Sequence, residues 1–119
     1  MSEQTIHDYI QESLRRECQQ VRAATEAINE AARLGFDMCS AKRAFTGAMD
    51  AWSRNQLTYA ELEAARQRLR AAKRACRNAD ARVKRRIAAI GRDSSKMRRI
   101  ASSLKEEWAA AAAQVTPYC

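Results

Sequence analysis

Apolar residues recur along the chain at intervals of three, four and seven, the spacing that places side chains on one face of an α-helix. The first such series comprises Ile6, Ile10, Leu14, Val21, Ala24, Ile28 and Ala31. Similar series follow along the rest of the chain, separated by short stretches that carry turn and capping residues. The pattern predicts helices over residues 5–34, 38–54, 59–90 and 94–114, followed by a frayed tail at 115–119.

The ends of these helices are predicted from capping signals. Gly35 and Gly91 stand where a left-handed residue would end the first and third helices. Thr58 and Glu61 have the spacing of a capping box, in which each side chain satisfies a backbone N–H near the other, so they should open the third helix. Ser94, or Asp93 beside it, is the expected cap of the fourth.

The third predicted helix carries a heptad repeat that is typical of a coiled-coil seam. Large apolar residues and alanines alternate along it, at Leu62, Ala65, Leu69, Ala72, Cys76, Ala79, Val83 and Ile90. Small residues in alternate layers allow two helix backbones to approach closely. We therefore expect tight packing against another helix, either of this chain or of a second copy, so that a homodimer through the seam is possible.

Composition restricts the fold class to all-α. Only three of the 119 residues are glycine and one is proline, whereas alanine, arginine, glutamate and leucine, which favour helices, dominate. The length corresponds to one domain. We predict an elongated bundle of three or four helices over residues 1–119, the number depending on whether Asn55 to Leu57 separates the second helix from the third.

The positive charge is concentrated in one segment. The net charge of the chain is +8, but residues 1–65 carry −3, residues 66–99 carry +12 and residues 100–119 carry −1. At 100° per residue, five cations of the third helix form a stripe about 100° from the seam. The members of this stripe are Arg66, Arg70, Lys73, Arg77 and Lys84.

This stripe would be an ordinary solvated surface if acidic residues of a neighbouring helix neutralised it. The acidic residues of the first helix, however, project almost opposite its apolar stripe: Asp8, Glu12, Glu26 and Glu30. Only Glu17 lies within that stripe and could pair with cations of the third helix. We therefore expect much of the basic stripe to be unpaired and to face a polyanion.

A second basic cluster surrounds the predicted turn at Gly91. Its members are Lys84, Arg85, Arg86, Arg92, Lys96, Arg98 and Arg99. The fourth helix begins here, so its free backbone N–H groups, together with Ser94 and Ser95, could hold a phosphate. The alternative is that Asp93 or Ser94 caps the helix and the arginines remain solvated.

The sequence contains no signature of catalysis, metal binding or a cofactor. His7 is the only histidine, and Cys18, Cys39, Cys76 and Cys119 are too far apart in sequence to suggest a zinc site. No apolar stretch is long enough for a membrane span, and the first residues lack a signal-peptide pattern. We therefore expect a cytoplasmic protein with four reduced cysteines, Cys18 and Cys76 in the core and Cys119 exposed.

The leading hypothesis is a small non-enzymatic protein that binds a polyanion through residues 66–99. The partner would most plausibly be the backbone of nucleic acid, with little sequence selectivity, because the segment contains no aromatic residue that could stack on bases. The rival hypothesis is an adaptor, inhibitor or assembly subunit that docks on an acidic protein surface.

Overall fold

A computed structural model describes residues 2–119 and confirms the all-α fold. It contains three long helices and a final 3₁₀ turn, at Glu3–Ser53 (α1), Tyr59–Gly91 (α2), Ser95–Val115 (α3) and Thr116–Tyr118. The molecule is elongated, with extents of 79 × 23 × 16 Å. α2 folds back antiparallel to α1, and α3 returns alongside both.

α1 runs without interruption through Gly35, so the predicted break there is wrong. Gly35 is buried, and a Cβ atom at this position would lie only 3.1 Å from Cγ1 of Val115 in α3. The glycine is therefore explained by the close approach of another helix and not by a change of backbone direction. The first two predicted helices are a single helix of 51 residues.

The chain reverses direction at residues 54–58. Asn55 has a φ of 60°, a left-handed conformation that asparagine tolerates better than most residues. The backbone N–H of Gln56 donates to the carbonyl of Ala51 at 2.8 Å, which closes the turn. The predicted capping box of Thr58 and Glu61 is present and begins α2.

The heptad seam of α2 lies in the core of the chain. Leu62, Leu69, Ala79, Val83 and Ile90 are buried. The main cluster joins the last three of these to alanines and an isoleucine of α1 and to Met97, Ala101 and Leu104 of α3. The seam therefore packs within the monomer, and the predicted use of this face by a second copy is not what the structure shows.

A disulfide between Cys39 and Cys119 joins the end of the described chain to the middle of α1, across 80 positions of sequence. The ring of Tyr118 packs edge-on against Phe36, with ring centroids 5.2 Å apart. Residues 115–119 are thus anchored and not frayed. The expectation of four reduced cysteines is wrong for this pair, because the return of α3 along α1 places the two residues side by side.

The ends of the molecule expose apolar side chains. Trp52 is 46% exposed at the α1–α2 turn. Cys18, which was expected in the core, is exposed as well. At the opposite end, residues 3–14 of α1 extend past the α2–α3 turn with their side chains almost all exposed. We call this segment the N-terminal arm.

Candidate polyanion-binding site

A basic cleft of about 520 Å³ lies between the last turns of α2 and the first half of α3. α2 contributes Lys84, Ala88 and Arg92, which repeat every four residues and therefore share one side of the helix. The facing side of α3 is lined by Arg98, Ser102 and Lys105, at intervals of four and three. Regular helical spacing on two helices thus places four cations around one depression.

The bottom of the cleft is apolar. Ile87 and Ala101 are buried there, and the half-buried Trp108 closes one end. Among the described residues, none of those that line the cleft is acidic. The positive potentials of the four cations add in a cleft whose floor is apolar. The cleft is therefore suited to a multiply charged anion.

Basic residues continue from the cleft along the same side of α2. Arg70, Lys73 and Arg77 are exposed, and no ion pair within residues 2–119 includes them. Arg66, predicted to belong with them, instead pairs with Glu63 at 3.1 Å. We call the remaining cations the basic flank: Arg70, Lys73, Arg77, Lys84, Arg92, Arg98 and Lys105.

The structure divides the predicted cluster around Gly91. Arg92 and Arg98 enter the cleft with Lys84. Arg85 and Arg99 are exposed on the sides of α2 and α3 that face away from the core. Lys96 turns towards α1 and donates to Glu17 at 3.3 Å. Glu17 therefore pairs with α3, whereas the sequence had suggested a pairing with α2.

Arg86 lies on the α1 side of α2, away from the basic flank. With Arg82 it lines a surface groove opposite Glu26 and Glu30 of α1. Hydrogen bonds from Arg33, and to a smaller extent the charge of Arg82, hold the pKa of the Glu30 carboxyl below its ordinary value. The expectation that Glu26 and Glu30 point away from α2 is therefore wrong.

The N-terminus of α3 is capped by the chain itself. Ser94 Oγ accepts from the backbone N–H of Met97 at 3.2 Å. This is the capping alternative predicted from the sequence. The Met97 N–H that Ser94 occupies is one of the groups that the phosphate hypothesis required. The cations near the turn therefore contribute to the cleft through their side chains.

Sequence reasoning missed Lys105, Ser102 and Trp108 as parts of the site. Lys105 falls outside the strongly basic segment, yet it lies seven residues after Arg98 and so shares its side of α3. This spacing could have identified Lys105 as part of the site from the sequence. Assigning the shared side to a cleft also required knowing how α3 is rotated against α2.

Asp80 lies near the cleft and is an acidic exception in the basic segment. Burial raises the pKa of its carboxyl above the ordinary value, and a hydrogen bond with the Trp108 side chain offsets part of that rise. Together with Cys76, it lines a second cavity of about 220 Å³ between the three helices. Burial, and then the charge of Asp80, raise the pKa of the Cys76 thiol.

Comparison with protein-family models, with curated proteins and with solved structures finds no match to this chain. No three histidine, cysteine or carboxylate side chains within residues 2–119 cluster so that they could hold a metal ion. In the part of the chain that the structure describes, no helix is long and apolar enough to cross a membrane.

Proposed function

We propose that this protein binds nucleic acid, without catalysis, by contacting backbone phosphates with its basic flank. The observation that carries the proposal is the cleft between α2 and α3, where four cations and no acidic residue line the described surface. Four of the seven cations of the flank are arginines, whose planar guanidinium groups can form paired hydrogen bonds with phosphate oxygens.

The geometry of the flank fits an extended polyanion. Arg70 lies in α2 and Arg92 is its C-cap, 22 residues further along, which corresponds to about 33 Å at a rise of 1.5 Å per residue. A small anion such as a single phosphate would occupy only the cleft. A nucleic acid strand, with regularly repeated charges, could contact the cleft and the exposed cations beyond it at the same time.

The ion pairs of the chain support an anionic partner outside it. Two carboxylates that could have neutralised cations of the flank are engaged elsewhere: Glu63 with Arg66 and Glu17 with Lys96. The flank is therefore left with concentrated positive charge on one side of the molecule. Contacts of this kind position a protein on nucleic acid but do not read bases, so low sequence selectivity follows.

The test is equilibrium binding to two labelled duplexes of unrelated sequence, measured over a series of salt concentrations. If about five cations of the flank each neutralise a phosphate, log K against log salt should have a slope near −4.5 on duplex DNA. We expect similar affinities and slopes for both sequences. A single-stranded RNA and a duplex RNA, measured in the same way, identify the preferred form.

Absence of binding to DNA and RNA at micromolar protein and low salt would contradict the proposal. So would binding whose affinity does not change with salt, because displacement of counterions is its physical basis. In either case the adaptor hypothesis would replace it, and an acidic protein surface would be the partner to seek.

A cytoplasmic location belongs to this proposal, because nucleic acid is accessible there. The Cys39–Cys119 disulfide is in tension with it, since disulfides are uncommon in reducing compartments. Alkylating the protein at the moment of lysis and counting the blocked thiols would show which redox state it has in the cell. Two blocked thiols would indicate an oxidising compartment and contradict the cytoplasmic location.

A further inference from the structure

The N-terminal arm presents an apolar face that nothing in the described chain covers. Ile6, Ile10 and Leu14 are 45%, 49% and 44% exposed, and their spacing of four places them on one side of the helix. Most helices in proteins are stabilised by packing of an apolar face. The arm therefore has the character of a helix that pairs with another.

The exposed face continues a stripe that is covered further along α1. Val21 and Ile28 belong to the same stripe, and there α3 packs against it. α3 begins at Ser95, and Lys96 contacts Glu17 at 3.3 Å. Residues before Glu17 therefore lie beyond the start of α3, and the position that α3 would occupy on the arm is empty.

We propose that the arm of a second copy occupies this position, antiparallel to the first, with the two-fold axis passing beside Ile10. In that register Ile10 faces its own equivalent, and Ile6 of each copy faces Leu14 of the other. The apolar face of the arm is therefore complementary to the same face of a second copy. Such self-complementarity is the requirement for a closed two-fold dimer.

Charge is compatible with this register at the ends of the overlap. The arm carries Glu3, Asp8 and Glu12 and no lysine or arginine, whereas the α2–α3 turn beside its base carries Arg92, Lys96 and Arg99. Antiparallel pairing about Ile10 brings Glu3 of one copy level with Glu17 and Lys96 of the other. Glu3 of each copy therefore approaches the Glu17–Lys96 pair and the neighbouring Arg99 of its partner.

A shallow groove of about 340 Å³ lies at the same level. It is formed by α1 and the start of α3, and Leu14, Val21 and Ile100 supply its apolar lining. Ile6 of the second copy would lie against the edge of this groove. The dimer would thereby bury the exposed apolar side chains of both arms and place the two basic flanks at opposite ends of one particle.

Two arms that overlap over residues 3–17 are in contact for about 21 Å, which is small for a stable interface, so we expect a dissociation constant of about 10–100 µM. The inference does not rest on nucleic-acid binding. The first experiment is sedimentation equilibrium of the whole chain up to about 300 µM, a concentration at which such a dimer should predominate over the 13.4 kDa monomer.

Ile10→Lys tests the interface, and Met49→Lys is its matched control. Met49 is 50% exposed on the same helix but lies near the opposite end of the molecule. We expect Ile10→Lys to be monomeric with unchanged helicity, and Met49→Lys to dimerise like the unmodified chain. A monomeric unmodified chain, or equal association of both variants, would overturn the proposal.

A cross-linking experiment tests the register independently of the mass. With Cys18 and Cys76 replaced by serine, Ile10→Cys should form a covalent dimer rapidly on mild oxidation, because the two introduced thiols would be adjacent across the axis. Asp8→Cys, on the opposite side of the arm, is the control and should cross-link slowly. Equal rates for the two variants would contradict the antiparallel pairing.

Discussion

Asp80 is the residue whose environment is least favourable to its charge. Its carboxyl lies on the side of α2 that faces Trp108, and burial raises its pKa above the ordinary value. A group whose pKa is raised by folding binds its proton more tightly in the native state. Its contribution to stability is therefore greatest below the ordinary carboxyl pKa and is lost as the pH rises through the raised value.

Replacing Asp80 by asparagine should therefore stabilise the protein slightly at neutral pH. Because Asp80 is largely exposed, we expect a gain of at most about 0.5 kcal/mol in the free energy of unfolding. The difference from the unmodified chain should shrink as the pH is lowered and the Asp80 carboxyl becomes protonated. Urea denaturation at several pH values measures this dependence.

The Cys76 thiol provides a second readout of the same variant. The charge of Asp80 contributes to raising the pKa of this thiol, after burial, so Asp80→Asn should lower that pKa and speed alkylation of Cys76 at constant pH. The exposed Cys18 serves as an internal control. A stability difference that is the same at every pH, with no change at Cys76, would contradict this account of Asp80.

Among the elements, α3 is the one whose position depends most on contacts at its ends. Ser94 caps its start and Lys96 connects it to α1, while the Cys39–Cys119 disulfide fastens the 3₁₀ turn that follows it. The cleft exists only while α3 stays alongside α2. The cross-link therefore bears on the candidate site as well as on stability.

Replacing Cys39 and Cys119 by alanine should destabilise the protein by about 2–4 kcal/mol, because the disulfide closes a loop of about 80 residues and so restricts the unfolded chain. Thermal denaturation of this variant beside the unmodified chain measures the loss. The unmodified, unreduced protein should expose only two titratable thiols when it is denatured. Four thiols and an unchanged melting temperature would contradict the pairing.

The sequence predicted those elements whose signals are local. The capping box of Thr58 and Glu61 is present as expected. α2 ends at Gly91, but this glycine is the last helical residue and not the left-handed residue that was predicted. Gly35 was misread because a glycine that ends a helix and a glycine that admits a neighbouring helix look alike in sequence. Only the position of Val115, 80 residues away, distinguishes the two.

Only part of the candidate site could be predicted from the sequence, because only local features leave a signal there. The stripe of α2 follows from its periodicity, whereas the cleft depends on how α3 is rotated and on which carboxylates take up which cations. Helical geometry alone could not reveal that Lys96 turns to Glu17 or that Arg86 lies opposite Glu26 and Glu30. These outcomes are set by contacts between elements distant in sequence.

At the scale of the whole molecule, the chain is a narrow rod with a different surface on each part. The basic flank covers one side of α2 and the cleft, the N-terminal arm is acidic and apolar, and the α1–α2 turn exposes Trp52 and Tyr59. Net charge alone would attract the whole rod weakly to any polyanion. The proposed function requires more, namely that the contacts be made at the flank.

The most direct measurement compares two variants of equal net charge for their salt-dependent binding to duplex DNA. Lys84→Gln with Arg98→Gln removes two cations of the cleft, while Lys42→Gln with Arg43→Gln removes two exposed cations of α1 that lie outside it. The cleft variant should lose about two units of the slope of log K against log salt, and the α1 variant should keep the slope of the unmodified chain. Equal slopes for the two variants would show that the charge acts without a defined site and would contradict the account.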